Sequence, residues 1–388
     1  MKTYRIGVIG LGQRIAHVLA AMVETGWRLE VIGYVDPAPV GLPTMRAGGI
    51  DPGTAYPAAA DLIAQGPFDL IMIGSPNHLH VEHLRMAFAA GYPIFAEKPI
   101  VRTVEETLAL AQRLAARAAP PLHIGLVMRS MPIVREVLAR VDGGELGEVI
   151  SMDATEHLHP EHGAYLARNW RRRAQWGGSY FLDKVCHDFD IFGRVAGSRV
   201  QSVASFGGRR IFTPEGAQRP RIYDDGTAAY GLHDAGWSGA DDAFGSDMDV
   251  FDHQVAVARY AGGMVLAFHA NSHAGLQERR WYIAGTRATL IADLVRNKLL
   301  IRPVLSRGKP ERIDFATRTA DNHNGADQAM AVDLLAALEG RAPFPVTAHE
   351  SMEAGLTVMA IDEAAARGET VHCAPMWARY DAACKRKR

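Results

Sequence analysis

Cysteine is scarce: Cys186, Cys373 and Cys384 are the only three in 388 residues. So few, so widely spaced, do not make a disulfide framework, and a reducing compartment suits them. Net charge is scarce too, since Lys+Arg 42 against Asp+Glu 43 leaves a formal -1. No global field therefore draws the protein to nucleic acid or to an anionic membrane. No apolar run approaches a membrane span, and the first residues enter a strand pattern without a basic-then-apolar leader. Internal repeats and low-complexity segments are also missing. These absences predict a cytoplasmic protein with small-molecule partners. What is present is hydrophobic composition at 48%, enough for the cores of two domains.

The most informative stretch is Tyr4-Arg-Ile-Gly-Val-Ile-Gly-Leu-Gly-Gln-Arg-Ile15. Tyr4 to Ile9 is a β-branched apolar run that stops at glycine, the pattern of a buried parallel strand. Ile15, Val18, Leu19, Met22 and Val23 then recur at helical spacing up to Gly26. Gly10 and Gly12 occupy the turn between them, where glycine permits positive φ and lets backbone approach a phosphate at the helix N-terminus. Ile15 stands where a third glycine would complete the dinucleotide fingerprint. A second strand, Leu29 to Val35, ends in Asp36, at the distance expected of an acid that binds ribose hydroxyls. Gly10, Gly12, Gln13, Arg14, Ile15 and Asp36 are therefore assigned to a dinucleotide. Asp36 is followed by Pro37 and Ala38 rather than arginine, which favours NAD over NADP; Arg46 in the next loop is the opposing charge.

Further along, a Pro/Gly-rich loop (37–57) and a short helix near Ala58 to Gln65 lead to a third strand, Phe68 to Ile73. It ends in Gly74-Ser-Pro-Asn-His-Leu-His80, and polar residues at a strand's carboxyl end sit where open α/β sheets bind ligands. Ser75, Asn77 and His80 are thus further cofactor candidates. Helix Val81 to Ala90 and strand Pro93 to Ala96 deliver Glu97-Lys98-Pro99 to the same edge, which adds Glu97 and Lys98 to the set. Thr103 with Glu106 reads as a capping box for helix Val104 to Ala118, and Leu122 to Val127 as one more strand. A doubly wound parallel sheet over residues 1–124 follows. From 125 to 388 the texture is that of an antiparallel sheet: helix Pro132 to Arg140, a hairpin of Asp252 to Tyr260 with Met264 to His269, and strands Trp281 to Ala284, Ala288 to Ile291 and Lys298 to Val304. Helices Ala326 to Leu338 and His349 to Arg367 close the chain. The excursion Phe206 to Gly245 reads as a mobile loop, a lid or an oligomer contact.

The order of GVIGLG, SPNHLHVEHLRMAFAAGYPIFAEKP and GGSYFLDKVCHDFDIF resembles the Gfo/Idh/MocA family of glucose-fructose oxidoreductase, inositol dehydrogenase and MocA-like proteins, from Tyr4 to about Cys373. That resemblance implies a Rossmann domain, a C-terminal α/β domain with an open, mainly antiparallel sheet, a tightly held NAD or NADP and mostly sugar or polyol substrates. Lys98 matches the family's active-site lysine, and Asp183 and His187 match its Asp-x3-His segment. The residue types suit the chemistry, because hydride removal from a carbinol carbon needs a group that takes the hydroxyl proton, and histidine titrates nearest neutrality. Asp183 lies one helical turn before His187, so both can face one pocket. Lys184 marks a departure: the run Asp-Lys-Val-Cys-His-Asp-Phe-Asp190 resembles a subgroup with a Lys-x-x-His-(His/Asp)-Phe-Asp signature, often preceded by Trp-Arg, here Asn169-Trp-Arg-Arg-Arg173. Lys184 can depress a neighbouring lysine's pKa or meet an anionic substrate group. Asp188 or Asp190 can balance it instead.

Other clusters remain open. His157-Leu-His-Pro-Glu-His162 has imidazoles enough for zinc but no partner motif with ligand spacing, so no metal is expected. Arg168, Arg171, Arg172 and Arg173 either clamp an anion or form a solvated face. His323-Asn-Gly325 with Asp327 is a candidate substrate contact, and Lys385 to Arg388 a solvated end. The leading expectation is an NAD-dependent oxidoreductase acting on a secondary hydroxyl of a sugar, polyol or sugar derivative, anionic ones included. The alternative is an NAD-dependent glycosidase using transient oxidation, elimination and re-reduction. A nucleotide-sensing regulatory subunit would have lost Lys98 or His187. An open sheet with one apolar face calls for a homodimer or homotetramer, with Val255, Val257 and Val265 in the contact.

Overall fold

The computed structural model describes residues 2–116, 119–231, 234–315 and 324–385. Its first half alternates strand and helix: β1 (Thr3–Ile9), α1 (Gln13–Glu24), β2 (Arg28–Val35), α2 (Leu42–Ala47), β3 (Thr54–Ala55), α3 (Ala59–Ile63), β4 (Leu70–Ile73), α4 (His80–Ala90), β5 (Ile94–Ala96), α5 (Val104–Ala115) and β6 (Leu122–Ile124). The six strands pair in parallel in the order β3-β2-β1-β4-β5-β6. Strand order reverses between β1 and β4, and the crevice at their carboxyl ends is where such sheets take ligands. Ile6, Val8, Ile71 and Ile73 are fully or almost fully buried on both faces of the sheet, as the unbroken apolar runs require. Helix α5 begins at Thr103, whose Oγ1 accepts from Glu106 N at 3.1 Å; the Glu106 carboxylate takes Arg102 N instead of closing the box on Thr103. A complete capping box forms later, at Thr347 and Glu350.

The second half comprises α6 (Pro132–Asp142), β7 (Val149–His157), α7 (Pro160–Arg168), α8 (Ala174–Gly177), α9 (Tyr180–Ala196), β8 (Val200–Gly208), β9 (His253–Tyr260), β10 (Val265–Asn271), β11 (Glu278–Gly285), β12 (Ala288–Asp293), β13 (Lys298–Pro303), β14 (Glu311–Asp314), α10 (Ala326–Leu338), α11 (Ala348–Arg367), β15 (Val371–His372) and α12 (Ala374–Cys384). Its nine strands run β14-β13-β12-β11-β7-β10-β9-β8-β15, with β7 and β10 parallel and the other recorded pairs antiparallel. One face packs on α9, where Phe181, Phe189 and Phe192 meet Phe268 and Phe192 also meets Trp281, edge to face or tilted. Each such fully buried ring contributes roughly 1.5–3 kcal/mol of transfer free energy. On the opposite face Val255, Val257 and Val265 are 42%, 50% and 45% exposed.

Two features depart from the sequence reading. The end of the chain returns to the first domain: Trp27 Nε1 donates to Ala331 O on α10 at 3.2 Å, Tyr4 OH to Glu339 Oε1 at 2.8 Å, and Arg379 of α12 pairs with Glu105 at 2.8 Å. The segment after β8 builds a small core of its own, in which Phe212, Phe244, Met248 and Val250 pack on Ala164 and Ala167 of α7. His323 and residues 386–388 lie outside the described residues.

Candidate active site

The first wall of the site is the β1–α1 turn. Gly10 has φ +89°, and a Cβ there would collide with the backbone of Gly74 and Ser75, so the chain itself requires glycine. Gly12 differs: its φ is -77°, and an added Cβ would meet no protein atom within 4 Å. Nothing in the chain asks for glycine there, yet the open space lies at the N-terminus of α1, which carries no side-chain cap. Unpaired N–H groups beside a clear approach fit a pyrophosphate. Ile15 is fully buried and packs on Gly74, which gives up its side chain to make the room. Its backbone, not its side chain, faces the turn. Gln13 donates to Val40 O at 2.8 Å and accepts from Thr44 Oγ1 at 2.9 Å, fixing the loop after β2 against the turn. Asp36 ends β2 and accepts from Ala38 N at 2.7 Å; burial lifts its pKa above the ordinary value, against the pull of Ala38 and Leu11 N–H groups.

Arg14 projects from α1 and bridges Glu97 Oε1 at 3.2 Å and Asp327 Oδ1 at 2.6 Å, so it joins the end of β5 to the first turn of α10. Ser75 Oγ lies 2.8 Å from His83 Nδ1. Asn77 does not stop at the cofactor crevice: its Nδ2 donates to Gly177 O at 2.7 Å and to Asp183 Oδ1 at 3.3 Å, and it is buried. His80 is fully buried with its ring nitrogens 3.0 and 2.9 Å from Pro99 O and Ser75 O, and burial lowers its pKa to about 4. Its ring braces the corner between β4 and Pro99: the neutral imidazole carries one N–H, which donates to one of the two carbonyls, and full burial keeps the ring from solvent.

Helix α9 supplies the second wall. Ser179 caps it by accepting from Leu182 N at 2.9 Å, and Asp183 and His187 follow one turn apart. Lys98, at the end of β5, donates its Nζ to the Asp183 carbonyl oxygen. The Asp183 carboxylate is buried and pairs with Arg171 Nε at 3.0 Å. Burial pushes its pKa up, but Arg171 and Lys98 outweigh that and hold the carboxyl below its ordinary value. His187 is half-buried on the same side of α9. Lys184 lies 3.5 Å from Glu156 Oε1 on β7; burial pulls its pKa down, with Arg279 and Lys98 adding to that, against the attraction of Glu156 and Asp183. Asp188 is fully buried and takes both oxygens to Arg279 of β11, which also reaches Glu156 at 3.3 Å. Burial raises Asp188 to about 6 in spite of Arg279. The direct partner of Lys184 is therefore Glu156, with Asp188 contributing at longer range, and Asp190 pairs instead with Arg129 at 2.6 Å.

Glu156 and Arg279 were missed in the sequence. The available signal was the inward position of Glu156 in the alternating stretch Val149 to His157. Each arginine of the cluster has a protein partner, so the cluster is not a free solvated face. Arg171 holds Asp183, Arg172 pairs with Asp247 at 2.5 Å, Arg173 with Asp247 and Asp249 at 3.2 and 3.3 Å, and Arg168 Nε donates to Ala240 O at 3.1 Å. His157 meets His269 edge to face at 4.6 Å, and among the described residues no three His, Cys, Asp or Glu group around a metal position.

A parallel six-stranded sheet with an open glycine turn, joined to an open mixed sheet that brings a lysine, an aspartate and a histidine to its crevice, defines a two-domain dinucleotide-binding protein. Residues 4–125 match the oxidoreductase family with an NAD-binding Rossmann fold, and residues 134–291 match the GFO/IDH/MocA C-terminal domain. The chain belongs to the Gfo/Idh/MocA family of oxidoreductases, and its first domain is that family's NAD-binding fold. It is 28% identical over 204 residues to inositol 2-dehydrogenase of Corynebacterium glutamicum (strain R), 52% of this chain and 57% of that protein. Over 193 residues it is 29% identical to the rhizopine catabolism protein MocA of Rhizobium meliloti, 49% and 56% of the two chains. The matched segments thus span well under two thirds of these relatives. A levoglucosan dehydrogenase solved with NADH and levoglucosan superposes with TM-score 0.75 at 20% identity, covering 96% of this chain and 99% of that one, which shows a shared fold.

Proposed function

We propose that the protein is an NAD-dependent dehydrogenase that oxidises a secondary hydroxyl of a sugar or polyol. The observation that carries this reading is the convergence of Lys98 from the first domain on Asp183, one turn from His187, at the mouth of the Gly10–Gly12 crevice. NAD held by Gly12, the first turn of α1 and Asp36 would supply the hydride acceptor for the carbinol carbon. Lys98 polarises the substrate oxygen; its own hydrogen bond goes to a carbonyl, so its charge remains available to that oxygen. His187 takes the hydroxyl proton and, being half-buried, passes it to solvent. Asp183, held ionised by Arg171, orients the hydroxyl and stabilises the charged lysine. Gly12, the first turn of α1 and Asp36 hold the dinucleotide. Arg171, Lys184 and Arg279 are each matched to a protein carboxylate, and that pairing favours neutral hydroxyls over the anionic substrates allowed for in the sequence reading. A panel of sugars, polyols and carboxylated or sulfonated glycosides, read by NADH absorbance, tests the reading; no NADH from any neutral member would refute it.

The glycosidase alternative has one observation in its favour. Asp188 at about 6 and a half-buried Lys184 with a lowered pKa place acid–base groups near His187 that simple hydride transfer does not require. In that reaction a ring hydroxyl is oxidised, the acidified neighbouring proton is lost with the leaving group, water adds and the hydride returns. We also propose that a second copy of the chain covers the exposed valines of β9 and β10, and that three unpaired thiols suit a cytoplasmic setting.

A further inference from the structure

We propose that residues 234–240 form a strap across the cofactor crevice and that Trp237 is the residue by which the second domain holds the dinucleotide in place. This rests on the reading of the crevice as an NAD site. One bank of the crevice is the Gly10–Gly12 turn together with the loop after β2. Gln13 Nε2 donates to Val40 O at 2.8 Å and Gly41 N donates to Leu11 O at 3.0 Å, so Val40 stands beside the N-terminus of α1. The other bank is the single helical turn Asn77–Leu79 at the end of β4. A dinucleotide running from Asp36 past α1 toward Lys98 lies between them.

Two consecutive residues of the second domain reach the two banks, Gly236 beside one and Trp237 in contact with the other. A Cβ on Gly236 would lie 3.8 Å from Val40 Cγ1. Trp237 stacks on His78, with ring centroids 5.8 Å apart and planes 27° from parallel, and meets Trp176 edge-on at 5.2 Å. The strap is firmly rooted on its own side. Ala235 O accepts from Asn169 Nδ2 at 2.7 Å, Ser238 O from an Arg172 guanidinium nitrogen at 2.6 Å, and Ala240 N donates to Arg168 O at 2.8 Å. Behind it, the buried Asp252 carboxylate accepts the N–H groups of Arg210, Ile211 and Phe212. Toward the first domain 234–240 present the Trp237–His78 ring stack and, at Gly236, a backbone close beside Val40. The strap therefore moves with the second domain and parts from the first without rupturing a recorded hydrogen bond. Bound NAD leaves when Trp237 comes off His78, whereas a sugar entering near Lys98 does not depend on that step.

The test is the release rate of NADH from the full-length protein, followed by fluorescence after chasing with excess NAD. Trp237→Ala is expected to release NADH about tenfold faster, the scale of a lost aromatic stack with its apolar contact. Trp237→Phe, which keeps a ring, should restore most of the slow release. His78→Ala removes the other ring and should act like Trp237→Ala, which keeps the proposal testable should the tryptophan variant not fold. Limited proteolysis within 234–240 should slow when NADH is added. Release within twofold of the parent in both alanine variants, with unchanged proteolysis, would overturn the strap while leaving the cofactor assignment standing. A parent protein that binds no NADH at all would overturn the cofactor assignment and the strap with it.

Discussion

Replacing Lys98 with methionine separates chemistry from folding. The methionine keeps an apolar stem at the small cavity that Ile100, Leu126 and Cys186 also line and removes the ammonium. In the folded protein the loss is one charge-assisted hydrogen bond to the Asp183 carbonyl, about 1.5–3 kcal/mol at most and less for a half-buried group. A chain of this size should then lose only a few degrees in Tm. On the proposed mechanism the same change removes the donor to the substrate oxygen, and kcat should fall roughly a hundredfold to ten-thousandfold, equivalent to about 2.7–5.5 kcal/mol of barrier. NAD affinity should stay within about threefold, because on the proposed reading the dinucleotide is held chiefly by the Gly10–Gly12 turn, the first turn of α1 and Asp36. Lys98 also helps to hold the Asp183 carboxyl low. A carboxylate with a depressed folded pKa lends stability above its unfolded pKa and loses it as pH falls through the folded one. Without Lys98 that loss begins at higher pH, and the acid limb of the kcat profile moves up with it. Steady-state NADH formation with the best substrate of the panel, an NAD titration and calorimetry read the three effects. A kcat within tenfold of the parent, accompanied by a large fall in Tm, would make Lys98 a structural brace and refute the reasoning.

Asp188 is raised from 3.8 to about 6, so its contribution to stability is greatest below its unfolded pKa and is lost as pH rises through about 6. The stability of the parent relative to Asp188→Asn, measured by urea denaturation, should therefore decline between about pH 4 and pH 7; a flat difference would sink the assignment. Asp36→Ser should raise kcat/KM with NADP relative to NAD by removing the charge that repels a 2′-phosphate, and a parent enzyme that uses NADP as well as NAD would contradict the role given to Asp36. Val257→Asp on the exposed sheet face should convert a dimer or tetramer to monomer by light scattering; a monomeric parent at micromolar concentration would dispose of the oligomer.

What could be read in the sequence was whatever a short span of chain determines. The β1–α1 turn, Asp36 at the end of β2, Lys98 after β5 and the i, i+4 spacing of Asp183 and His187 are each settled within a few residues. What could not be read depends on partners far apart in the chain. Asn77 looked like a cofactor contact because it follows a strand end, but its amide reaches Gly177, 100 residues on, across the domain boundary. Arg279 meets Asp188 at a separation of 91 residues, through strand pairings that alternation alone does not fix. The segment after β8 looked loose because it is rich in Gly and Asp; its core is supplied by α7, which the sequence reading did not pair with it. His80 shows the converse, since a histidine beside a binding loop can be fully buried between two backbone carbonyls as a brace.

The central claim is net oxidation of a carbinol, and a single-turnover experiment tests it most directly. Protein loaded with NAD is mixed with each neutral polyol and glycoside of the panel, and NADH, keto product and released leaving group are quantified together. The account predicts one NADH for each keto product and no leaving group. Leaving group released only when NAD is bound, with no NADH accumulating, would contradict it and establish the elimination chemistry instead.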